Sequence, residues 1–385
     1  MAECLEQSFE PLTELAQDIE FASVRRWKQG APHRKAVAFF PVYAPMEIIH
    51  AAGMLPVGIA GAGDRLDLQH ADSRFGSFIC SIVKTTFELG ITGKLEPFDA
   101  LLFSTICDSA RNLCFVMKRN FPGQHFEFLH LPHSTSESSI EFLAAEYRRL
   151  MGELQRIAGV EITAGALRNS IAMFNRQREL AGEIYTLRAE APHLLRATES
   201  YALLRAGLRM PVEEHIAILE EMLPKIRARG GKKRDAIRVV IEGSFCEQPP
   251  LPLIRVLEAA GCDVVDDDFT LAQRWFSEPL PLEPDPVQTL AERYVRCATY
   301  SSVRHFPAAA RCRGLEQRIR RSRADAVIFL IAKFCEPAYF DYVLFKKAVD
   351  QLGLPSLQLE FEEKLFTFDR LQTEIETFVE SLIFD

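Results

Sequence analysis

Apolar positions along this chain follow two rhythms. Short, largely apolar runs occur at Ala36–Phe40, Leu55–Ala60, Ala100–Ser104 and Phe126–Leu131. Four more occur at Ile237–Ile241, Cys262–Val265, Ala326–Ile331 and Ser356–Leu359. Runs of this length, bounded by turn residues, read as buried strands. Stretches of 3.6-residue period separate them: Met46–Ala52 ended by Gly53, Cys80–Leu89, Asp108–Lys118, Leu251–Ala260 closed by Gly261, Ala338–Leu352 and Phe368–Leu382. Strand and helix in alternation imply parallel sheets. Between the two groups the strand signal vanishes, and long helices are expected at Ile140–Ile157, Ala164–Ala191, Ala197–Leu208 and Val212–Ala228.

The expected fold class is therefore α/β, with two Rossmann- or flavodoxin-like parallel-sheet halves and an intervening helical layer. The expected domains are 1–137 with a helical lead-in over about thirty residues, 138–233, and 234–385, the last preceded by the solvated linker Gly230–Arg234. A basic helical face, Arg311–Arg323, belongs to the C-terminal half.

Composition narrows the function classes. A chain of 385 residues is long for one core, and 48% hydrophobic residues is ample for globular packing. A formal charge of −8 argues against a nucleic-acid partner. Met1–Gln17 has no apolar core run, and no uncharged run approaches ~18 residues, so neither a signal peptide nor a membrane span is expected. Nine cysteines without a secretion signal fit a reduced cytoplasm better than a disulfide framework.

Four of those thiols occupy similar settings. Cys107 and Cys335 follow strand runs and precede helical patterns, Cys246 follows Ile237–Ile241, and Cys80 opens a helix. Open parallel sheets place ligands outside the carboxyl ends of their strands. A helix N-terminus favours a thiolate, the form that binds metals or attacks. Cys4, Cys114, Cys262, Cys297 and Cys312 read as small apolar fillers. No CxxC pair is present, so a zinc knuckle or ferredoxin-type run is excluded, and a cluster would have to assemble from distant segments.

Three segments carry a resemblance. They are Pro45–Pro56 (PMEIIHAAGMLP); Cys80-Ser81 with Ser104–Ser109 (STICDS); and Lys333–Pro337 (KFCEP) with Glu360–Glu362 and Thr373–Glu376. By these the chain resembles the 2-hydroxyacyl-CoA dehydratase and benzoyl-CoA reductase family. Gly243–Pro250 (GSFCEQPP) and Val265–Phe269 (VDDDF) are most similar to the smaller ring-reducing subunit of ATP-dependent benzoyl-CoA reductase.

The resemblance implies a [4Fe–4S] cluster held by three cysteines, which by motif match Cys80, Cys107 and Cys335. It leaves Cys246 as a loop thiol near the site. It implies a larger homologous iron–sulfur subunit, ATP-hydrolysing activator subunits, ferredoxin as upstream donor and an acyl-CoA substrate. A 2-hydroxyacyl-CoA dehydratase subunit and a non-catalytic electron-relay subunit are the alternatives. No GxxxxGK[ST] stretch is present, and Gly61-Ala62-Gly63 lacks the third glycine of a dinucleotide fingerprint.

Other polar groups are weaker candidates. Glu47 and His50, three apart on one helix, share a face suited to proton transfer, although a satisfied histidine is the favoured reading. Asp266, Asp267 and Asp268 read as a helix cap or cleft lining, with capping favoured. Arg318, Arg320, Arg321 and Arg323 read as a solvated face rather than a grip on the phosphates of coenzyme A or on a partner's acidic face. Lys333 either tempers local charge or caps a helix.

Overall fold

The computed structural model describes residues 2–243, 246–269, 278–297, 304, 307–362 and 367–384. Ser244 and Phe245 of the GSFCEQPP segment lie outside the described residues. Helices α1 (Ala2–Ala16) and α2 (Ala22–Gln29) precede the first sheet. That sheet holds β1 (Lys35–Phe39), β2 (Met54–Gly58), β3 (Ala100–Ser104) and β4 (Phe126–Leu129), in the order β2-β1-β3-β4 and parallel throughout. Helices α3 (Met46–Ala51), α4 (Ser81–Ile91) and α5 (Asp108–Asn120) connect the strands.

The second sheet repeats this plan. Its strands β5 (Ile237–Glu242), β6 (Cys262–Asp266), β7 (Ala326–Ala332) and β8 (Ser356–Phe361) are ordered β6-β5-β7-β8, again all parallel. Helices α10 (Leu251–Ala259), α11 (Pro286–Cys297), α12 (Ala308–Ser322), α13 (Glu336–Gln351) and α14 (Asp369–Phe384) belong to this half. The central strands are apolar and buried because helices cover both faces: every residue of β3 and of β7 is buried. Each sheet reverses direction between its first and third strands, β1/β3 and β5/β7, which is where such sheets take ligands.

Between Leu129 and Ile237 the described residues form only helices and connections: α6 (Glu137–Ala158), α7 (Ala164–Glu190), α8 (Ala197–Ala206) and α9 (Val212–Arg227). Ser136 and Thr163 cap α6 and α7 by accepting N–H bonds from Ser139 and Ala166. Helix α7 packs against α3, α9 and β6, and carries buried polar residues on several sides. Arg178 forms a buried ion pair with Glu47 of α3, and Arg188 one with Asp267 just beyond β6. One helix of the middle layer is thus charge-paired to both halves, and a continuous apolar core runs through all three parts.

Three sequence expectations change. Asp266–Asp268, read as capping a helix, are engaged over long range, and residues 270–277, where that helix would follow, lie outside the described residues. Asp266 pairs with Arg321 at 2.9 Å, Asp267 takes Arg188 and the Tyr185 hydroxyl, and Asp268 accepts the Gly243 N–H at 3.2 Å. Nor is the basic face of α12 simply solvated, because Arg318 is largely buried and pairs with Glu242 and Asp266. Helix α11 lies where no element was expected.

Candidate functional site

Cys80, Cys107 and Cys335 share one local geometry. Each is the N-cap residue of a helix: Cys80 of α4, Cys107 of α5 and Cys335 of α13. Cys107 lies three residues beyond the end of β3, and Cys335 three beyond the end of β7. Those strands hold equivalent places in the two sheets, so the two thiols are topological counterparts. The Cys107 sulfur accepts the Ala110 N–H at 3.5 Å. Phe334, beside Cys335, sits at φ 64°, in the left-handed region that costs a non-glycine residue of order 1–3 kcal/mol. Pro337 occupies the first turn of α13, where a missing N–H costs nothing.

The thiols influence one another across the halves. Burial raises the Cys80 pKa well above its ordinary value; the carboxylate of Glu247 and the sulfurs of Cys335 and Cys107 raise it further. Burial also raises that of Cys107, against the N–H groups of Ala110 and Ser109, with Asp108 and Glu336 adding to the rise. Cys335 is buried and Cys80 and Cys107 are half-buried. Each of the three sulfurs thus belongs to the N-cap residue of a helix, at the positive end of its dipole.

Glu247 fixes this junction and was not singled out from sequence. It is buried, takes a hydrogen bond from the Ser81 hydroxyl, and accepts the Ile82 N–H at 3.1 Å. A residue of the C-terminal half thereby caps α4 of the N-terminal half, directly after Cys80. Its position beside Cys246, in the loop after β5, was the available signal. Cys246 is buried in that same loop.

The three thiols do not form a compact donor group. Tetrahedral zinc with bonds of ~2.3 Å holds its sulfurs about 3.8 Å apart. Among the described residues, His125, Glu127 and Glu153 offer ligand atoms within 4.8 Å of one another; the three thiols are not drawn in so far. Those two glutamates are already bound, Glu127 to Arg149 at 2.9 Å and Glu153 to Arg156 at 2.8 Å. Three soft sulfurs beside a buried carboxylate are a donor set suited to a thiophilic cationic centre.

The remaining candidates sit elsewhere in the bonding network. Glu47 is fully buried against Arg178. Both ring nitrogens of His50 have partners, Ser170 Oγ and Glu213 Oε1, each at 2.9 Å. Lys333 pairs with Glu362 and lies 5.2 Å from the centre of the Phe334 ring. Cys114 and Cys262 are buried, and burial pushes each thiol up to about 12, as expected for inert fillers.

Comparison with known proteins agrees with this architecture. The model of the 2-hydroxyglutaryl-CoA dehydratase D-component family matches residues 41–382. The chain is 36% identical over 371 residues to a benzoyl-CoA reductase subunit of Thauera aromatica, covering 96% of each chain. It is 29% identical over 351 residues to lactoyl-CoA dehydratase subunit beta of Anaerotignum propionicum, covering 90% of this chain and 91% of that one. With (R)-2-hydroxyglutaryl-CoA dehydratase subunit beta of Acidaminococcus fermentans the identity is 27% over 365 residues, 92% of this chain and 94% of that one. Among the described residues no helix is long and apolar enough to cross a membrane. A family match over most of the chain, joined to a 36% identical relative aligned nearly end to end, shows that the chain belongs to the 2-hydroxyglutaryl-CoA dehydratase D-component family of enzyme subunits.

Proposed function

We propose that this chain is the iron–sulfur subunit of an ATP-dependent benzoyl-CoA reductase, with Cys80, Cys107 and Cys335 holding a [4Fe–4S] cluster. The observation that carries this reading is the set of three N-cap thiols, drawn from both halves, that lie within electrostatic reach of one another. Held there, a cluster would supply low-potential single electrons for reduction of the thioester-activated ring.

The chain's own residues do the rest. The first turn of α5 directs the Ala110 N–H at the Cys107 sulfur, and Glu247 keeps the α4 turn in place. Ile106 and the ends of β3 and β7 are buried and exclude water, which favours a low potential. Phe78 and Phe334 stay exposed beside Cys80 and Cys335, a surface suited to the larger homologous subunit. ATP hydrolysis belongs in this reading to activator subunits fed by ferredoxin, in the cytoplasm. His50 takes no part in proton transfer in this reading, since both its ring nitrogens are engaged, and Glu47 is tied to Arg178 through one oxygen while its buried Oε2 has no hydrogen-bond partner.

The test is anaerobic purification with the partner subunit, followed by iron and sulfide analysis. Brown protein with four irons per cluster is expected. Colourless protein holding stoichiometric zinc would refute the reading. The 29% identical lactoyl-CoA dehydratase subunit supports a second reading, dehydration of a 2-hydroxyacyl-CoA. Product analysis separates the two: a cyclic diene thioester from benzoyl-CoA, or an enoyl-CoA from a hydroxyacyl-CoA.

A further inference from the structure

We infer that the cavity bounded by α1, the loop after β2 and the first turn of α10 binds the diphosphate group of an organic ligand. It has a volume of about 360 Å³. That is near the lower end of small-molecule pockets, ~300–1,000 Å³, and ample for a diphosphate with part of its organic group. Four arginines line it, Arg65, Arg205, Arg209 and Arg255, with no carboxylate among the described lining residues.

Arg209 is the decisive group. It is only 3% exposed, and its Nη1 has no hydrogen-bond partner. Its guanidinium lies over the Phe21 ring, 4.7 Å from the centre. Burial, with the neighbouring Arg205 charge adding to it, pulls its pKa down to about 9. Asp18 acts against this, but its oxygens already accept the N–H groups of Glu20 at 2.8 Å and Ala22 at 2.7 Å. Arg205 also has a buried Nε without a partner. A desolvated guanidinium with no directly bonded counter-charge is unfavourable unless an anion completes it.

The walls suit an anion as well. Arg65 is held in a fixed orientation by Gln17, through its carbonyl at 3.0 Å and its amide oxygen at 2.7 Å. Gly61 and Gly63 adopt φ of 73° and 61°, which leaves backbone without side chains against the cavity. The positive end of α10, a nine-residue helix, forms another wall. Several guanidinium forks converging on one space match the paired, bidentate oxygens of a diphosphate better than a single charge. The cavity also opens at the loops after β2 and β5, the carboxyl side of both sheets. Coenzyme A thioesters and nucleotides both carry this group.

The inference is independent of the cluster assignment, and the experiment keeps the two apart. The full chain with its partner subunit is titrated calorimetrically under anaerobic conditions with pyrophosphate, coenzyme A and ATP. Saturable binding of pyrophosphate and tighter binding of one organic ligand are expected. Tighter coenzyme A assigns the site to a thioester, and tighter ATP to a nucleotide. Arg65→Gln and Arg255→Ala, both toward the rim, should each weaken binding about tenfold, because each removes a charge-assisted contact. Their iron content should stay at the wild-type level. Arg209→Gln should weaken binding at least as much, and circular dichroism shows whether it folds; the rim variants decide if it does not. Absence of saturable binding, or binding unchanged in both rim variants, overturns the inference, whereas loss of iron in the thiol variants with binding retained would leave it intact.

Discussion

Asp267→Asn is the sharpest structural test, because the ion pair with Arg188 joins the middle helices to the second sheet. The two side chains are 2% and 1% exposed. Asp267 accepts from Arg188, from the Tyr185 hydroxyl at 2.7 Å and from the Phe269 N–H at 3.0 Å. Arg188 also donates to Ser200 Oγ at 3.0 Å. Asparagine keeps an oxygen for Tyr185 and Phe269 but removes the guanidinium's bonded counter-charge, leaving it only the more distant carboxylate of Asp266. Breaking one side of a buried pair costs about 3–5 kcal/mol. A Coulomb figure at an effective dielectric of about 20 and ~4 Å gives about 4 kcal/mol, in agreement. Arg188→Met should cost a similar amount by stranding the carboxylate. The double variant has no lone charge, and should lose only about 1–3 kcal/mol through the unmatched Asn amide and Ser200 hydroxyl. The coupling between the sites is then about 3 kcal/mol or more. Hydrogen exchange followed by mass spectrometry reads this locally, on the amides of α7 and β6, without requiring two-state unfolding of a multi-part chain. A single Asp267→Asn cost below about 1 kcal/mol, or a double variant costing the sum of the singles, would refute the reasoning.

Two further outcomes follow from other sites. Cys80→Ala, Cys107→Ala and Cys335→Ala should each lose cluster iron, while Cys246→Ala keeps it; iron analysis showing the reverse for Cys246 and Cys80 would put the ligand set at the wrong residues. His215 is buried, donates from Nε2 to the Leu203 carbonyl and accepts at Nδ1 from Gln177, and burial pulls it down to about 4. Its folded pKa lies below the unfolded value near 6.5, so its contribution is whole above pH ~6.5 and fades as pH falls toward 4. Melting curves of His215→Gln should depend less on pH across that window than those of the wild type; equal slopes would show that the ring is not the titrating group.

Much of the fold was legible because parallel strands covered on both faces read as apolar runs. Ala100–Ser104 was located to the residue, and β7 within one. Cys107 was read directly before the helix it caps, whereas Cys80 was read as the first residue of its helix and the helix after Cys335 was placed from Ala338, two residues late. Helix α11 was passed over although its pattern is regular: Val287, Leu290, Ala291, Tyr294 and Val295 are all buried. That spacing is the amphipathic signature, masked by Pro279, Pro281, Pro284 and Pro286, which read as loop. The charges were misread for a different reason. Asp266 meets Arg321 across 55 positions and Asp267 meets Arg188 across 79, and no local rule connects acids at a strand end to such partners. The arginine cavity was illegible on the same ground, since Arg65, Arg205 and Arg255 are far apart in the chain.

The two halves share a topology but not a site, and the difference explains why the thiol group sits between them. After β3 and β7 each half presents one cysteine at equivalent positions. After their first strands they diverge. In the N-terminal half the loop after β1 buries Val42 and Tyr43, both in left-handed backbone at φ 73° and 64°, and fills its own crevice with apolar bulk. In the C-terminal half the loop after β5 carries buried Cys246 and Glu247 instead. Glu247 crosses to cap α4, the helix that Cys80 begins. The third sulfur is therefore oriented by a residue of the opposite half. Neither half alone can present all three thiols in this arrangement, so loosening the contact between halves must disturb the sulfurs even when every cysteine is intact.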